Sequence, residues 1–131
     1  YDRIDSSSNI YIIGNGGSLA NAEHIAGDYL KTLTVNKKRL NISCPGSNLC
    51  YVTAISNDLS YEDSYCVLIN SLITNGDLLI YLSGSGNSMN LVKCARKAKS
   101  KNIKQVSKSV KKILQKINQT KFHLKLFLFF Y

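Results

Sequence analysis

Apolar residues in the first part of the chain change their spacing at a glycine-rich segment. Residues 9–13 (NIYII) form a short apolar run rich in β-branched side chains, and the run stops at the sequence GNGGS. From Ser18 onward the apolar residues fall at helical spacing, on a face formed by Leu19, Ala22, Ala26 and Leu30. This pattern predicts a strand, a glycine-rich loop and a helix in succession.

The middle of the chain carries a second strand pattern and two helical patterns. Residues 40–44 are largely apolar and end at a Pro-Gly pair, which predicts a strand and a turn. Residues 49–58 (LCYVTAISND) predict a short helix that runs into a polar loop. The apolar spacing over residues 61–73 predicts a further helix, closed by the Asn-Gly pair at 75–76 in the manner of a C-cap.

A repeat of the first unit follows. Residues 77–82 (DLLIYL) form an almost continuous apolar run, residues 83–88 (SGSGNS) are small or polar, and residues 89–101 have helical spacing. Two strand, loop and helix units in one chain predict a parallel sheet flanked by helices, so the predicted fold class is α/β. Both loops are then expected beyond the carboxyl ends of the strands, where such sheets bind their ligands.

The pattern after residue 102 supports two interpretations. Apolar residues spaced three and four apart among lysines predict a basic amphipathic helix, on a face formed by Ile103, Val106, Val110, Ile113 and Ile117. The alternation of strands and helices instead predicts a short strand over residues 103–106. The spacing alone does not decide between the two.

The two glycine-rich loops have the chemistry of an anion site. Glycine lets the backbone come close to a ligand, and the helix that follows each loop presents free amide groups and the positive end of its dipole. The spacing does not fit a dinucleotide fingerprint or a nucleoside triphosphate loop. A smaller phosphorylated ligand is therefore predicted.

The charge of the chain is uneven, which narrows the range of partners. The net charge is +9, but residues 1–90 have a net charge of −3, whereas residues 91–131 carry 12 basic and no acidic side chains. No aromatic residue interleaves with the lysines between Lys93 and Lys121, so we expect no nucleic-acid partner. The apolar C-terminal stretch FHLKLFLFFY is too short to span a bilayer, and no membrane association is expected.

Length and cysteine usage indicate a single intracellular domain. The chain has 131 residues, enough for one domain of ordinary size, and its 4 cysteines form no CxxC pair. We expect reduced thiols and a cytoplasmic protein, since the N-terminal residues do not resemble a signal peptide. Because the sequence does not begin with Met, we also expect a fragment or a processed product.

Three segments taken together resemble the phosphoheptose isomerases of the sugar isomerase (SIS) domain family. They are IIGNGGSLANAEHIAGDYL, ISNDLSYED and LSGSGNSMNLVKCARKAKSKNIK, which follow one another between residues 10 and 106. The resemblance implies a flavodoxin-like, three-layer fold that is incomplete at both ends. It also implies a phosphosugar-binding domain over residues 1–106 and an unmatched basic and apolar tail over residues 107–131.

The resemblance implies that the serine-rich loop holds the phosphate of the sugar, while the first loop contacts the sugar itself. The substrate-binding residues that it implies are Asn15, Gly16, Gly17, Ser18, Asn57, Asp58, Ser83, Gly84, Ser85, Asn87 and Ser88. It further implies that His24 and Asp28 are ligands of a metal ion, expected to be zinc, and that Asp28 is the general base. Their spacing of four residues places both on one helical face.

Two departures from the family pattern predict impaired catalysis. Aspartate at position 28 replaces a family glutamate and is one methylene shorter, which reduces the reach of a general base. A second catalytic histidine and a glutamine of the family have no match after Val106, and we do not assign that role to His123. We expect a truncation or a shifted reading frame near residue 106; a divergent C-terminal helix is the alternative.

Two functions follow from the resemblance. The first is binding and aldose-ketose isomerisation of a phosphorylated sugar in carbohydrate metabolism, by interconversion of sedoheptulose 7-phosphate and D-glycero-D-manno-heptose 7-phosphate. The alternative is a non-catalytic SIS module that binds a phosphosugar or a protein partner such as a replication initiator. A homo-oligomer is expected for the full-length family.

Overall fold

The computed structural model describes residues 8–37 and 41–108. Within these ranges, strands and helices alternate along the chain. In order they are β1 (Asn9–Gly14), α1 (Gly17–Val35), β2 (Asn41–Ser43), α2 (Leu49–Asp58), α3 (Ser64–Ser71), β3 (Leu78–Leu82), α4 (Met89–Ser100) and β4 (Lys104–Lys108). Short 3-10 turns precede α2, at Pro45–Ser47, and α3, at Tyr61–Asp63, and we call the latter the 61–63 turn.

The four strands form one parallel sheet in the order β2-β1-β3-β4. In the register of this sheet, Ile10 lies between Ile42 of β2 and Leu78 of β3, and Leu78 pairs with Lys104 of β4. Parallel neighbours require crossover connections, which α1, the α2–α3 pair and α4 provide. The predicted α/β class and the parallel sheet are confirmed.

Side chains of the two central strands alternate between two hydrophobic clusters, one on each face of the sheet. Tyr11 and Ile13 of β1 lie in the cluster covered by α3 and α4, which also contains Leu79 and Tyr81 of β3. Ile10 and Ile12 lie in the opposite cluster, against Ala22, Ala26 and Leu33 of α1. Because a strand has a side-chain period of two, the buried strands separate the helices into two outer layers. The three-layer arrangement is the predicted one.

The predicted apolar face of α1 was wrong at one position. Leu30 is exposed, and Leu33 is buried instead. With 3.6 residues per turn, Leu33 lies only about 20° from Ala22 around the helix axis, whereas Leu30 lies about 80° away. The face that packs on the sheet is therefore formed by Ala22, Ala26 and Leu33.

Two predicted boundaries between β2 and β3 also need correction. Asn57 and Asp58 are the last residues of α2 and not part of a following loop. The helix predicted from residue 61 begins only at Ser64, because the Ser60 side chain accepts a hydrogen bond from the Asp63 backbone and caps the 61–63 turn. The Asn-Gly pair follows the helix end by several residues, so it forms the turn into β3 and does not cap α3.

The strand interpretation is correct for the first residues after α4. Asn102 has a φ of 55°, in the left-handed region, and the backbone N–H of Ile103 donates to the carbonyl oxygen of Ala98. This geometry ends the helix in the way of a Schellman cap, and Lys104–Lys108 then pairs with β3. A helix starting at Ile103 is thus wrong, while Val110, Ile113, Ile117 and most of the predicted 107–131 tail lie outside the described residues. Among the helices described, none is long and apolar enough to cross a membrane.

Candidate functional site

The strand order predicts a crevice between the carboxyl ends of β1 and β3. From β1 the chain crosses to β2 on one side, and from β3 it crosses to β4 on the other side. At such a switch point the two connections diverge and leave room for a ligand. The loops after β1 and β3, both expected from the sequence to bind an anion, therefore flank the same crevice.

The first loop is a tight turn that depends on Gly14. A Cβ atom at this position would lie 2.9 Å from the carbonyl oxygen of Leu82 and 2.9 Å from the backbone of Ser18. Gly16 has a φ of 52°, and the carbonyl oxygen of Asn15 accepts the backbone N–H groups of Ser18 and Leu19 at 3.0 and 3.3 Å. Much of the donor capacity at the start of α1 is therefore satisfied within the turn itself.

The serine-rich loop uses two of its hydroxyl oxygens as acceptors. The backbone N–H of Gly86 donates to Oγ of Ser83 at 3.0 Å, and that of Asn87 donates to Oγ of Ser85 at 3.2 Å. A hydroxyl that accepts such a bond can still donate its own hydrogen. Ser83 is buried and Ser85 is exposed, so Ser83 lies deeper in the loop than Ser85.

The start of α4 offers donors that the protein leaves available. Ser88 is the N-cap residue, but its side chain makes no capping hydrogen bond, and the first turn of α4 contains no acidic residue. The backbone N–H groups of Met89 and Asn90 meet no acceptor within the described part of the chain. Together with the positive end of the helix dipole, these groups form an environment that favours an anion.

The first loop is joined to the first turn of α4 through a pair of asparagines. Nδ2 of Asn15 donates to Oδ1 of Asn90 at 2.8 Å, and Nδ2 of Asn90 donates to Oδ1 of Asn15 at 2.9 Å. The hydroxyl of Tyr61 also donates to Oδ1 of Asn15, at 3.0 Å. Asn15 thus lies against the first turn of α4, which directly follows the serine-rich loop.

Asn90 and Tyr61 were missed by the sequence analysis. Asn90 is only 2% exposed, and it lies one helical turn before Cys94, which is also buried. A polar residue on the apolar face of a helix was the available signal, because buried polar groups need hydrogen-bond partners. No comparable signal marks Tyr61, which is an exposed tyrosine in a polar segment.

The 61–63 turn is fastened to α4 by charged side chains. Nζ of Lys93 lies 3.0 Å from Glu62 and 3.2 Å from Asp63. The hydrogen bond from Ser60 and then the one from Lys93 lower the pKa of Asp63, and the bonds to Glu62 and Asp63 raise the pKa of Lys93. Asp63 and Lys93 are therefore charged at neutral pH, and the turn that carries Tyr61 is held close to α4.

Asn57 and Asp58 are not joined to the two loops. Their side chains are exposed, and Nδ2 of Asn57 donates to the carboxylate of Asp58 at 2.9 Å. Neither has a side-chain hydrogen bond to the GNGGS or SGSGNS segment in the described structure. Their predicted role in substrate binding stays a prediction.

His24 and Asp28 lie on one face of α1, as their spacing predicts. Nε2 of His24 is 3.2 Å from Oδ2 of Asp28, and the side chains are 79% and 61% exposed. A zinc site takes at least three protein ligands. Within residues 8–37 and 41–108, no third histidine, cysteine or carboxylate joins the pair, so the described residues do not by themselves form a zinc site.

A groove of about 340 Å³ lies away from both loops. It is bounded by β1, β2, α2 and α3 and is mostly apolar. The lining residues are Tyr11, Ser43, Pro45, Asn48, Tyr51, Leu68, Ser71 and Leu72. None of the predicted site residues lines this groove.

Comparisons with known proteins find phosphoheptose isomerases among the relatives of this chain. The chain is 33% identical over 106 residues to the phosphoheptose isomerase of Helicobacter pylori, covering 81% of this chain and 55% of that protein. It is 30% identical over 118 residues to the phosphoheptose isomerase of Thermodesulfovibrio yellowstonii, covering 88% of this chain and 59% of that protein. The chain thus spans somewhat more than half the length of these relatives.

Solved structures of phosphoheptose isomerases share the architecture. The one from Neisseria gonorrhoeae superposes with a TM-score of 0.72 at 26% identity, covering 84% of this chain and 58% of that chain. The one from Francisella tularensis has a TM-score of 0.77 at 20% identity, with 86% and 60% covered, and supports the fold. The SIS domain family model matches residues 1–107. This chain belongs to the SIS domain family.

Proposed function

We propose that this chain binds a phosphorylated sugar in the crevice between β1 and β3, with the phosphate at the start of α4. The observation that carries the proposal is the set of donors there: the Ser88 hydroxyl without a capping bond and the open N–H groups of Met89 and Asn90. The names of its relatives, phosphoheptose isomerases, are consistent with a sugar phosphate ligand.

The serine-rich loop supplies further donors to the same anion. Because Ser83 and Ser85 accept backbone N–H groups, each hydroxyl keeps its own hydrogen for a phosphate oxygen. Residues 83–88 contain no charged side chain, so recognition depends on oriented hydrogen bonds and the helix dipole. Hydrogen bonds to a charged group are the stronger kind, at about 1.5–3 kcal/mol each.

The proposed reaction is the interconversion of an aldose and a ketose phosphate, as the relatives' name implies. Asp28 removes a proton from the hydroxyl-bearing carbon next to the carbonyl group and returns it to the former carbonyl carbon. In the same interconversion, through the enediol, the proton of that hydroxyl passes to the former carbonyl oxygen. Nε2 of His24 lies 3.2 Å from Oδ2 of Asp28, and this contact orients the carboxylate. Zinc would polarise the sugar oxygens in such a reaction, but the described residues do not complete its coordination, so no step is assigned to it.

One observation favours the alternative of a binding module without catalysis. His24 and Asp28 are largely exposed to water and share no hydrogen bond with either loop in the described structure. A general base that is open to water lacks the closed, water-excluding setting of an active site. Phosphosugar binding and catalysis are therefore separable here, and each has its own test.

Isothermal titration calorimetry with sedoheptulose 7-phosphate tests binding. Replacing Ser85 and Ser88 together by Ala should lower the affinity by about tenfold or more, since two donors to the phosphate are lost. Ser100→Ala is the matched control. Ser100 is the last residue of α4, at the end opposite to Ser88, and its hydroxyl donates to the carbonyl oxygen of Lys97. Equal affinity of the double variant and the control would remove this loop from the site.

A further inference from the structure

The hydrogen bonds around Asn90 have a fixed direction. The backbone N–H of Leu91 donates to Oδ1 of Asn90 at 2.9 Å. A backbone N–H can only donate, so its partner on the Asn90 amide must be the oxygen. Nδ2 of Asn90 therefore faces Asn15 as a donor, and the orientation of this buried amide is set by the backbone of α4.

The fixed amide of Asn90 orients Asn15 in turn. Because Asn90 presents an N–H to it, the atom of Asn15 at 2.9 Å must be Oδ1, and Nδ2 of Asn15 lies 2.8 Å from Oδ1 of Asn90. Tyr61 is the next link, since its hydroxyl lies 3.0 Å from that same Oδ1 and has to donate to it. The backbone N–H of Leu91 thus fixes which atoms donate and which accept in this network as far as the Tyr61 hydroxyl, which donates to Asn15.

Two hydrogen-bonding groups remain unused in this network of side chains. Nδ2 of Asn15 has a second hydrogen, and the Tyr61 oxygen has lone pairs, and neither meets another partner in residues 8–37 and 41–108. They lie on atoms of the same short network, one as a donor and the other as an acceptor. A sugar hydroxyl can both donate and accept a hydrogen bond, so it can bind to Nδ2 of Asn15 and to the Tyr61 oxygen. An ionised phosphate oxygen can only accept, so it can bind to Nδ2 of Asn15 but not to the Tyr61 lone pairs.

The position of Tyr61 is also supported from the other side. The ion pairs of Lys93 with Glu62 and Asp63 hold the 61–63 turn against α4, the helix that carries Asn90. Tyr61 is 52% exposed, so a ligand can approach this residue from the solvent. Its location thus depends on two contacts with α4, one polar through Asn15 and Asn90 and one ionic through Lys93.

We propose that the Tyr61 hydroxyl is a specificity-determining group for a hydroxyl of the sugar portion of the ligand. It forms a pair with Asn15, whose contact with the sugar the family resemblance already implies. Asn90 is the positioning residue that holds this pair in the required orientation. The inference rests on the proposed function, because the phosphate at the start of α4 brings the sugar to the pair. It adds to that function a discrimination between a polyhydroxy phosphate and phosphate alone.

Calorimetric titration of the protein with sedoheptulose 7-phosphate and, separately, with inorganic phosphate tests the inference. Tyr61→Phe should weaken sugar phosphate binding roughly fivefold, the effect of one hydrogen bond, and shift inorganic phosphate binding by less than about twofold. Tyr29→Phe is the control, since Tyr29 is a partly exposed tyrosine on α1 whose hydroxyl has no described hydrogen bond. It should change neither affinity.

Asn90→Leu removes the positioning amide without adding charge. It should lower the ratio of sugar phosphate to inorganic phosphate affinity, and its effect should not add to that of Tyr61→Phe, since both act through Asn15. If this buried substitution prevents folding, the Tyr61→Phe result decides. Equal losses for both ligands, or a Tyr61→Phe variant that matches the control, would overturn the inference alone. A wild-type protein that binds neither ligand would overturn the proposed function and the inference with it.

Discussion

The hydroxyl of Tyr65 donates a hydrogen bond of 2.5 Å to the backbone carbonyl oxygen of Gly14. Tyr65 lies on α3 and is buried, whereas Gly14 is the last residue of β1 and begins the first loop. Burial raises the pKa of Tyr65, so the hydroxyl keeps its proton at any physiological pH. This bond therefore anchors the entrance of the crevice to the helix layer behind it.

Removing this anchor should destabilise the protein. Tyr65→Phe keeps the ring in the core but leaves the Gly14 carbonyl without the hydroxyl, at an expected cost of about 1–2 kcal/mol in the free energy of unfolding. Urea unfolding followed by circular dichroism measures the difference. Tyr29→Phe serves as the control and should leave the unfolding midpoint unchanged. A Tyr65→Phe variant as stable as that control would show that the bond contributes little.

Two glycine-to-alanine substitutions should have opposite effects. At Gly14 a Cβ atom would meet the backbone of Leu82 and Ser18 at 2.9 Å, so Gly14→Ala should destabilise the protein by about 1–3 kcal/mol. At Gly27, within α1, a Cβ atom meets nothing within 4 Å, and Gly27→Ala should stabilise the protein by roughly 0.5–1 kcal/mol. Thermal unfolding of both variants checks the signs, and a tolerated Gly14→Ala would mean that the turn can relax.

Asp77 should make the stability depend on pH. Its carboxylate is 2% exposed and accepts hydrogen bonds from the backbone and side chains of Asn9 and Thr74. Burial opposes its ionisation, but these hydrogen bonds outweigh burial and lower its pKa. A lowered folded-state pKa contributes stability above the ordinary value of about 4, and this contribution is lost as the pH falls below it.

The Asp77→Asn substitution isolates this contribution. At pH 7 it should cost about 2–3 kcal/mol, because an amide N–H replaces one of the two accepting oxygens of a buried group. At pH 3 the difference between the wild type and the variant should shrink, since the Asp77 carboxylate of the unfolded chain takes up a proton below about pH 4, whereas that of the folded protein does so only at lower pH. Urea unfolding at both values measures it. A difference that stays constant with pH would exclude the carboxylate charge as its source.

The chain should isomerise a bound phosphosugar slowly or not at all. His24 and Asp28 are exposed, and the described residues add no further metal ligand to them, so the general base acts without the acid or metal that stabilises an enediolate. General acid-base catalysis is worth about 100-fold to 10,000-fold, which sets the size of the expected deficit. NMR of aldose formation from sedoheptulose 7-phosphate with added zinc measures it. Turnover at an ordinary enzymatic rate that Asp28→Asn abolishes would contradict this prediction.

The main elements of the fold could be predicted from the sequence because they are recorded in local patterns. β1 and β3 are buried on both faces, so they read as apolar runs, and each is followed by a small-residue loop and a helix. The choice between strand and helix after residue 102 could not be made this way. It depended on Asn102 adopting a positive φ and on Ile103 reaching back to Ala98, neither of which the apolar spacing reveals.

The candidate site was predictable at its loops but not at its side-chain contacts. Glycines and serines after two strands mark an anion site, because their chemistry is local. The partner of Asn15 lies 75 residues away in Asn90, so the pairing depends on the register between β1 and β3 and on the start of α4. The exposure of His24 and Asp28 was equally hidden, since spacing fixes their shared face and not its surroundings.

The pairing of β1 with β3 has a consequence for how the binding crevice comes into existence during folding. Ile10 pairs with Leu78, and the segments that meet at the strand starts are separated by 68 residues of chain. Closing so long a loop costs entropy before any contact repays it, and contacts of large sequence separation slow folding. On the ribosome, β1 therefore has to wait for β3 to emerge. Ligand binding during synthesis would accordingly begin only after most of the described domain has been made.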